Sequence, residues 1–153
     1  MRLENMSEEE RKMLLSFKCP SFETNPFVSG PPLNQRRVAI ITTAGLHGRH
    51  DRPFGMDPND RYRVIPGDVQ SNDLVMSHLS AGFDRTGYQQ DLNVVFPIDR
   101  LREMVAEGII GSVADFHYSY NSISAQPNAA EPIREVARLL KEDNVDAALL
   151  FPV

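Results

Sequence analysis

Residues 36–45, "RRVAIITTAG", are the most strand-like stretch of this sequence. Small and β-branched residues follow one another from Val38 onward, and the run stops at Gly45. Because the run does not alternate between apolar and polar residues, it is typical of a strand covered on both faces, as in a parallel sheet. The stretch therefore predicts a buried strand of an α/β fold, with a loop beginning at its carboxyl end.

Strands and helices are predicted to alternate along the rest of the chain. After the first strand the order is strand, helix, strand, helix and strand, which favours a parallel sheet covered by helices, of the Rossmann or flavodoxin-like type. Residues 68–80 fit either a strand or a short helix, and residues 82–93 are loop-like. The pattern is carried by "YRVIP" (62–66), "VVFPIDRLREMVAEGIIGSV" (94–113), "ADFHYSYN" (114–121), "AEPIREVARLLKEDN" (130–144) and "VDAALLFPV" (145–153).

Residues 1–35 are predicted to form an N-terminal helix and a proline-rich arm, and residues 36–153 the α/β domain. Ser7 and Glu10 have the spacing of a capping box, which predicts a short amphipathic helix from residue 7 to residue 17. The segment "CPSFETNPFVSGPPLNQR" that follows is rich in proline and predicts an irregular connector.

Composition limits the classes of function. The chain has 153 residues, a net charge of −5 and a single cysteine, Cys19, so no internal disulfide can form. A lone cysteine fits a reducing compartment. No basic stripe favours nucleic-acid binding, no apolar stretch is long enough to span a membrane, and the N-terminus does not resemble a signal peptide. We therefore expect a cytoplasmic protein that binds neither nucleic acid nor membranes.

The apolar run "AALLFPV" (147–153) predicts a last strand that needs cover on both faces. No sequence follows it to form the next helix, so we expect a sheet that is incomplete at its C-terminus. Three explanations stay open at this stage. Another chain covers the strand, the strand packs late and weakly, or the gene product has been cut short.

Two loops could carry chemistry, although neither has a specific motif. "TTAG" (42–45) could offer backbone N–H groups and two hydroxyls to an anion, or it could be an ordinary turn after a strand. His47, His50 and Asp51 could be part of a metal site, but a solvated loop also explains them, since no HExxH motif or cysteine pair accompanies them. We predict no metal. The motifs of phosphate loops and of the serine nucleophile elbow are absent.

Several phrases, taken together and in this order, resemble the selenoprotein B family, which comprises the B subunits of the glycine, sarcosine, betaine and D-proline reductases. The resemblance covers most of residues 36–153, and "DLNVVFPIDRL…EGIIG" (91–111) is its most specific part. The phrases are "RRVAIITTAGLH" (36–47), "YRVIP" (62–66), "DLVMSH" (73–78), "QDLNVVFPIDRLREMVAEGIIGSVADFHYSY" (90–120) and "DAALLFPV" (146–153).

The resemblance implies a reaction. In that family the strand corresponding to "AALLFPV" leads into a selenocysteine, or sometimes a cysteine, so a selenocysteine is expected after Val153. The implied reaction is reductive cleavage of the C–N bond of glycine, a methylated glycine or D-proline. A dithiol or a thioredoxin-type donor would supply the electrons, and a partner subunit would carry a pyruvoyl group. The chain as given holds no cofactor and lacks the redox residue, so we expect no catalysis from it alone.

The resemblance also suggests site residues. Thr42, Thr43, Gly45 and His47 match the strand-end motif of the family, and the first three would bind the substrate or an anion at the carboxyl edge of the sheet. His47 and His117 would line the site as proton donors or orienting groups. For His117, a half-buried histidine satisfied by a backbone group is an equally good explanation.

Three hypotheses about function follow. In the first, the chain is the N-terminal part of a reductase subunit whose translation ended at a UGA codon. In the second, it is a complete accessory module that lacks the redox residue and binds a partner or a small acid through the "TTAGLH" edge. In the third and weakest, it is a hydrolase or metal-dependent enzyme that uses the histidines. A UGA codon with an open frame beyond it favours the first over the second.

Overall fold

The structure is a computed structural model that describes residues 3–16, 21, 23–25, 27–55, 57, 60–80, 83–121 and 130–153. Cys19 lies outside these residues. Short 3₁₀ turns connect several elements. The helices are α1 (Glu8–Ser16), α2 (Thr86–Gln90), α3 (Ile98–Ala106) and α4 (Ala130–Glu142), and the strands are β1 (Arg37–Thr42), β2 (Leu46–Gly48), β3 (Tyr62–Pro66), β4 (Leu74–Met76), β5 (Ser112–Val113), β6 (Phe116–Tyr120) and β7 (Ala147–Phe151).

Strand β1 lies inside a mostly parallel sheet, as the stretch 36–45 predicts. One edge of β1 pairs with β7 along its whole length, from Val38 opposite Ala147 to Thr42 opposite Phe151. Its other edge is shared, because β5 pairs with its beginning and β6 with its end. All three partners run parallel to β1. The predicted α/β class with a parallel sheet is therefore confirmed for these strands.

Strand β3 departs from the predicted all-parallel arrangement. It pairs antiparallel with β6, with Tyr62 opposite Tyr120 and Pro66 opposite Phe116. The reason lies in the connection, since its described residues form no helix between β1 and β3. A parallel neighbour needs a crossover of a dozen residues or more, usually helical, whereas a chain that turns back without one returns antiparallel.

A small second sheet consists of two strands, one in the connection between β1 and β3 and one after β3. Strand β2 pairs antiparallel with β4, with His47 opposite Val75. Of the two alternatives left open for residues 68–80, the structure therefore adopts the strand. Residues 82–93 are not only a loop, because α2 and a 3₁₀ turn at Leu92–Val94 form there.

The two faces of the main sheet are packed differently, because successive side chains of a strand point to opposite faces. Val38 and Ile40 of β1 belong to a large core that includes Ile98 and Leu101 of α3. Ile41 instead lies in a smaller cluster on the other face, which α4 covers. That smaller cluster contains Tyr118, Tyr120, Val136, Leu139 and Leu140.

The N-terminal helix begins at the predicted capping box. The backbone N–H of Glu10 donates to Oγ of Ser7 (3.2 Å), and the backbone N–H of Ser7 donates to Oε2 of Glu10 (3.0 Å). The helix buries none of its residues, and Met13 remains 56% exposed. Its start is thus fixed by capping, whereas the predicted amphipathic helix does not bury an apolar face against the described residues.

The amino ends of the parallel strands are held together by Arg37 and Asp143, which we call the Arg37–Asp143 clamp. Asp143 follows α4, and its Oδ2 accepts the backbone N–H groups of Asp115 (2.9 Å) and Phe116 (3.2 Å). The Arg37 guanidinium donates to Oδ1 and to the carbonyl oxygen of Asp143. The clamp therefore connects the start of β1, the start of β6 and the end of α4.

Strand β7 is only partly covered. Leu149 and Leu150 are 37% and 67% exposed, although β7 is fully paired with β1 along one edge. The need for further cover that its apolar sequence predicts is therefore not met by the described residues. In these same residues, no helix is both long and apolar enough to cross a membrane.

Candidate functional site

A cavity of about 850 Å³ opens between α4 and the sheet, and we call it the α4 cavity. Ile41 and Tyr120 of the sheet form its floor, and Val136 and Leu140 of α4 form one wall. Its rim includes Thr43 and the residues that follow β7. The lining residues are Ile41, Thr43, His78, Ser80, Phe83, Tyr120, Ile133, Val136, Ala137, Leu140, Leu150, Pro152 and Val153.

The position of the cavity fits a functional site in a parallel sheet. Thr43 directly follows β1, and Pro152 and Val153 directly follow β7, so the rim is formed at the carboxyl ends of two neighbouring strands. Ligands of open α/β sheets characteristically bind beyond these ends. The lining is mainly apolar with a few polar groups, which is the usual character of a small-molecule site.

No described residue that lines the cavity is an aspartate, glutamate, lysine or arginine. A charged amino acid buried there would find no oppositely charged side chain in this wall, and burying an unpaired charge is costly. The cavity can therefore hold apolar atoms and accept or donate a few hydrogen bonds. It does not by itself neutralise a zwitterion.

His78 is the one histidine in the cavity wall among the described residues. Its Nδ1 accepts the backbone N–H of Ser80 (3.2 Å), and its ring packs against Phe83 with centroids 4.9 Å apart. Burial, and secondarily the charge of Arg85, lowers the pKa of His78 below its usual value of 6.5. The neutral ring, with Nδ1 as acceptor, carries its proton on Nε2 and can donate it in a hydrogen bond.

The two threonines of the predicted anion site lie on opposite faces of the sheet. Thr42 is fully buried, and its hydroxyl donates to the carbonyl oxygen of Val95 (2.9 Å) and accepts the N–H of Ala44 (3.2 Å). Thr43 lines the α4 cavity, and its hydroxyl contacts the backbone of Val153. Their role as anion ligands stays a prediction, and the structure brings only Thr43 to the cavity.

Gly45 shapes the loop behind the cavity. Its φ of +65° is a backbone conformation that favours glycine, and a Cβ atom there would lie 3.1 Å from the backbone nitrogen of His78. Its N–H donates to the carbonyl oxygen of Tyr120 (2.8 Å), and its own carbonyl accepts the N–H of Ser77 (2.9 Å). Gly45 thus allows the segment that carries His78 to approach the loop after β1 closely.

His47 lies in β2 and is not among the residues that line the cavity. It is 2% exposed, and both of its ring nitrogens have partners. Nδ1 lies 2.8 Å from the carbonyl oxygen of Gly48, to which it donates, and Nε2 lies 2.8 Å from Oγ of Ser77. This environment gives His47 a role in holding β2 against the segment after β4, and its catalytic role stays a prediction.

His117 lies in β6 on the face opposite the cavity, where its ring packs edge-on against Phe96. It is fully buried, its Nδ1 accepts the N–H of Ile40 (3.0 Å), and its Nε2 has no hydrogen-bond partner in the described part of the chain. Burial lowers the pKa of His117 from 6.5 to about 4. The residue is therefore neutral at pH 7 and completes the pairing of β1. Its catalytic role also stays a prediction.

The three residues of the metal hypothesis are not gathered around a common point. Asp51 accepts the N–H of Gly48 (2.8 Å), and His50 is exposed. Across the described residues, no three His, Cys, Asp or Glu side chains are grouped so as to hold a metal ion.

A family comparison covers nearly the whole of this fold. The sequence profile described as glycine/sarcosine/betaine reductase selenoprotein B matches residues 19–152, which include every strand of the sheet and every residue that lines the cavity except Val153. The chain belongs to the selenoprotein B family.

Individual selenoprotein B relatives are similar at moderate identity. The chain is 37% identical over 120 residues to the D-proline reductase subunit gamma of Acetoanaerobium sticklandii, covering 77% of this chain and 49% of that protein. It is 31% identical over 143 residues to the glycine reductase complex component B subunit gamma of Symbiobacterium thermophilum, covering 88% and 32%. It is 28% identical over 147 residues to the sarcosine reductase complex component B subunit beta of Peptoclostridium acidaminophilum, covering 91% and 33%.

This selenoprotein B chain thus spans between about a third and a half of the length of these relatives. No solved structure matches it. The resemblance seen in the sequence phrases is confirmed by the family match, which extends over residues of both predicted domains. The division into residues 1–35 and 36–153 stays a prediction.

Sequence reasoning missed how the cavity of this selenoprotein B chain is formed. His78 matched a family phrase, but nothing in its spacing placed it beside Thr43 at the cavity. Phe83 stood in a loop-like segment without a detectable signal. The apolar stripe of α4 could have indicated the wall, because Val136 and Leu140 lie on one helix face.

Proposed function

We propose that this chain is part of a subunit of an amino-acid reductase complex that cleaves the C–N bond of D-proline, glycine or a methylated glycine. The observation that carries the proposal is the family match over residues 19–152. The curated relatives are subunits of D-proline, glycine and sarcosine reductases. The α4 cavity supports the proposal because it lies at the carboxyl ends of β1 and β7, where such folds bind ligands.

The reactive group is proposed to be a selenocysteine, or a cysteine, that follows Val153. The support is the resemblance, in which the strand ending "LLFPV" leads into that residue, together with the position of Val153 at the cavity rim. A selenol is largely ionised at neutral pH, so it would supply a low-pKa nucleophile that carries electrons. If the codon after that of Val153 is UAA or UAG, with no open frame beyond it, this part of the proposal is wrong.

Partner subunits are proposed for the charged ends of the substrate. The cavity wall offers no charged side chain among its described residues, so the ammonium and carboxylate groups of an amino acid need partners from elsewhere. A pyruvoyl group on a second subunit would take the amine, and a thioredoxin-type dithiol would supply two electrons and become a disulfide. In this arrangement the α4 cavity receives the apolar atoms of the substrate.

His78 is the residue of this chain that we propose as the orienting group. Its Nε2–H is the hydrogen-bond donor that the neutral ring can direct to a substrate oxygen, since Nδ1 is already used by Ser80. The lowered pKa of His78 supports this neutral form at pH 7.

The complex itself provides the test of function. The chain, encoded with its natural downstream sequence, is affinity-tagged in its source organism, and the purified complex is supplied with dithiothreitol and each of D-proline, glycine, sarcosine and betaine. We expect reduction of one of these substrates, with 5-aminovalerate as the product if the substrate is D-proline. A complex that binds one of these substrates but never reduces it would favour the accessory-module hypothesis instead.

His78→Leu is expected to lower kcat/KM of that complex by about tenfold, the loss of one hydrogen bond worth about 1.4 kcal/mol. Leucine keeps the apolar bulk beside Phe83 and removes the donor. His50→Gln is the matched control, because His50 is exposed and outside the cavity. Equal kcat/KM values for the His78→Leu and wild-type complexes would remove His78 from the proposed site.

A further inference from the structure

The pattern of hydrogen bonds between the parallel strands β1 and β7 changes at Thr43. The N–H of Thr43 donates to the carbonyl oxygen of Phe151 (3.2 Å), as a regular parallel ladder requires. The next hydrogen bond of such a ladder would run from the N–H of Val153 to the carbonyl oxygen of Thr43. Instead, the N–H of Val153 donates to the side-chain Oγ1 of Thr43 (2.9 Å).

The switch to a side chain follows from the path of the backbone. After Thr43 the chain turns towards β6, where Ala44 forms an isolated antiparallel bridge with Asn121. Gly45 then adopts a positive φ of +65° and donates to the carbonyl oxygen of Tyr120 (2.8 Å). Because β1 leaves β7 here, a backbone acceptor is no longer available, and the hydroxyl extends the pairing by one more residue.

The same hydroxyl also returns a hydrogen bond. Oγ1 of Thr43 donates to the backbone oxygen of Val153 (3.3 Å), so both the N–H and the backbone oxygen of Val153 contact one side chain. A hydroxyl has one proton to donate, and the Thr43 hydroxyl donates its proton to Val153. The group that the sequence suggested as an anion ligand is thus already used to hold the chain.

We propose that Thr43 is a positioning residue, whose hydroxyl fixes the backbone at Val153 and so sets the direction in which the chain passes the rim of the α4 cavity. This inference rests on the proposed function, in which the electron-carrying residue follows Val153. Thr43 acts through that segment and needs no contact with the substrate. A reactive group must be held within a fraction of an ångström of its productive place, so a fixed residue immediately before it improves its placement.

Amide hydrogen exchange tests the contact directly and without any assay of activity. In ¹⁵N-labelled protein, Thr43→Val keeps the branched shape and removes the hydroxyl. We expect the Val153 N–H to exchange about fivefold faster or more, the effect of losing one ordinary hydrogen bond. The N–H groups of Leu149 and Phe151 should be unchanged, and Thr43→Ser should restore the slow rate. Equal Val153 exchange rates in the wild type and in Thr43→Val would overturn the inference.

The complete reductase complex provides the second measurement. For Thr43→Val we expect kcat to fall about tenfold while KM stays within twofold, because the placement of the reagent is disturbed and substrate binding is not. Thr43→Ser should recover at least half of the wild-type kcat. A raised KM at unchanged kcat, or a serine variant as slow as the valine variant, would overturn the positioning role. If the wild-type complex reduces none of the four substrates, the proposed function fails, and the exchange rates still decide whether Thr43 holds Val153.

Discussion

Asp143→Ala is expected to lower the free energy of unfolding by about 3 kcal/mol, the usual cost of removing one partner of a buried ion pair. The side chain of Asp143 is only 9% exposed, and its loss leaves the backbone N–H groups of Asp115 and Phe116 without their acceptor. Arg37 would lose its most buried carboxylate partner, and keep its hydrogen bonds to the carbonyl oxygens of residue 143 and Val113 and its ion pair with the exposed carboxylate of Asp115 (2.9 Å). For a chain of this length, we expect the melting temperature to fall by roughly 6–12 °C.

Urea unfolding followed by circular dichroism measures this loss. Asp143→Asn is the graded variant, because an amide oxygen can still accept one of the bonds, and its loss should be smaller. Glu142→Ala is the matched control. Within the described residues, the ion pair of the neighbouring Glu142 is an exposed one with Arg138, so its loss should cost less than about 0.5 kcal/mol. If Asp143→Ala were no less stable than Glu142→Ala, the Arg37–Asp143 clamp would have no energetic importance.

Stability is expected to decrease as the pH falls below 6.5, with His117 as a principal cause. The pKa of His117 is about 4 in the folded protein, against 6.5 as its ordinary value. Between these two pH values, the histidine is protonated in the unfolded chain and neutral in the folded chain. The contribution of His117 is therefore complete above pH 6.5 and is lost as the pH falls towards 4. The free energy of unfolding should decrease by up to about 1.4 kcal/mol for each pH unit in this window.

The measurement is the free energy of unfolding in urea at pH 7.5, 6.5, 5.5 and 4.5. In His117→Gln, an amide oxygen can still accept the N–H of Ile40, but nothing titrates at this position, so most of the slope should disappear. His78→Leu is the comparison variant, because the pKa of His78 is lowered as well and adds a slope of the same sign. A slope in His117→Gln as steep as in the wild type would show that His117 does not sense pH.

Much of the fold follows from local sequence patterns. The stretch around Val38 specifies the central strand, "YRVIP" coincides with β3, and the Ser7–Glu10 spacing marks the start of α1. The direction of β3 could not be read from its own residues. It depends on how the chain returns from β1, and on a pairing with β6, whose residues are fifty or more positions away in sequence.

The candidate site was only partly predictable for a related reason. The sequence predicted that Thr42 and Thr43 lie at the carboxyl end of the first strand and that His117 lies in a later strand. It did not predict on which of the two faces of the sheet each side chain lies. Thr43 lies at the cavity, whereas Thr42 and His117 point into the core on the other face. Which face a residue occupies is settled by packing against α3 and α4. His78 reaches the site through the close approach of its segment to Gly45, which a linear pattern does not encode.

The alternation of side chains along β1 also affects how this protein could be altered. Ile40 is completely enclosed by the packed core, whereas the adjacent Ile41 borders the cavity, as does Leu150 opposite it on β7. Two adjacent positions therefore serve different purposes: the residue at position 40 is needed for folding, and the residue at position 41 affects which ligand is preferred. A library of variants that changes Ile41 and Leu150 while keeping Ile40 could alter which ligands the protein binds without disturbing its fold.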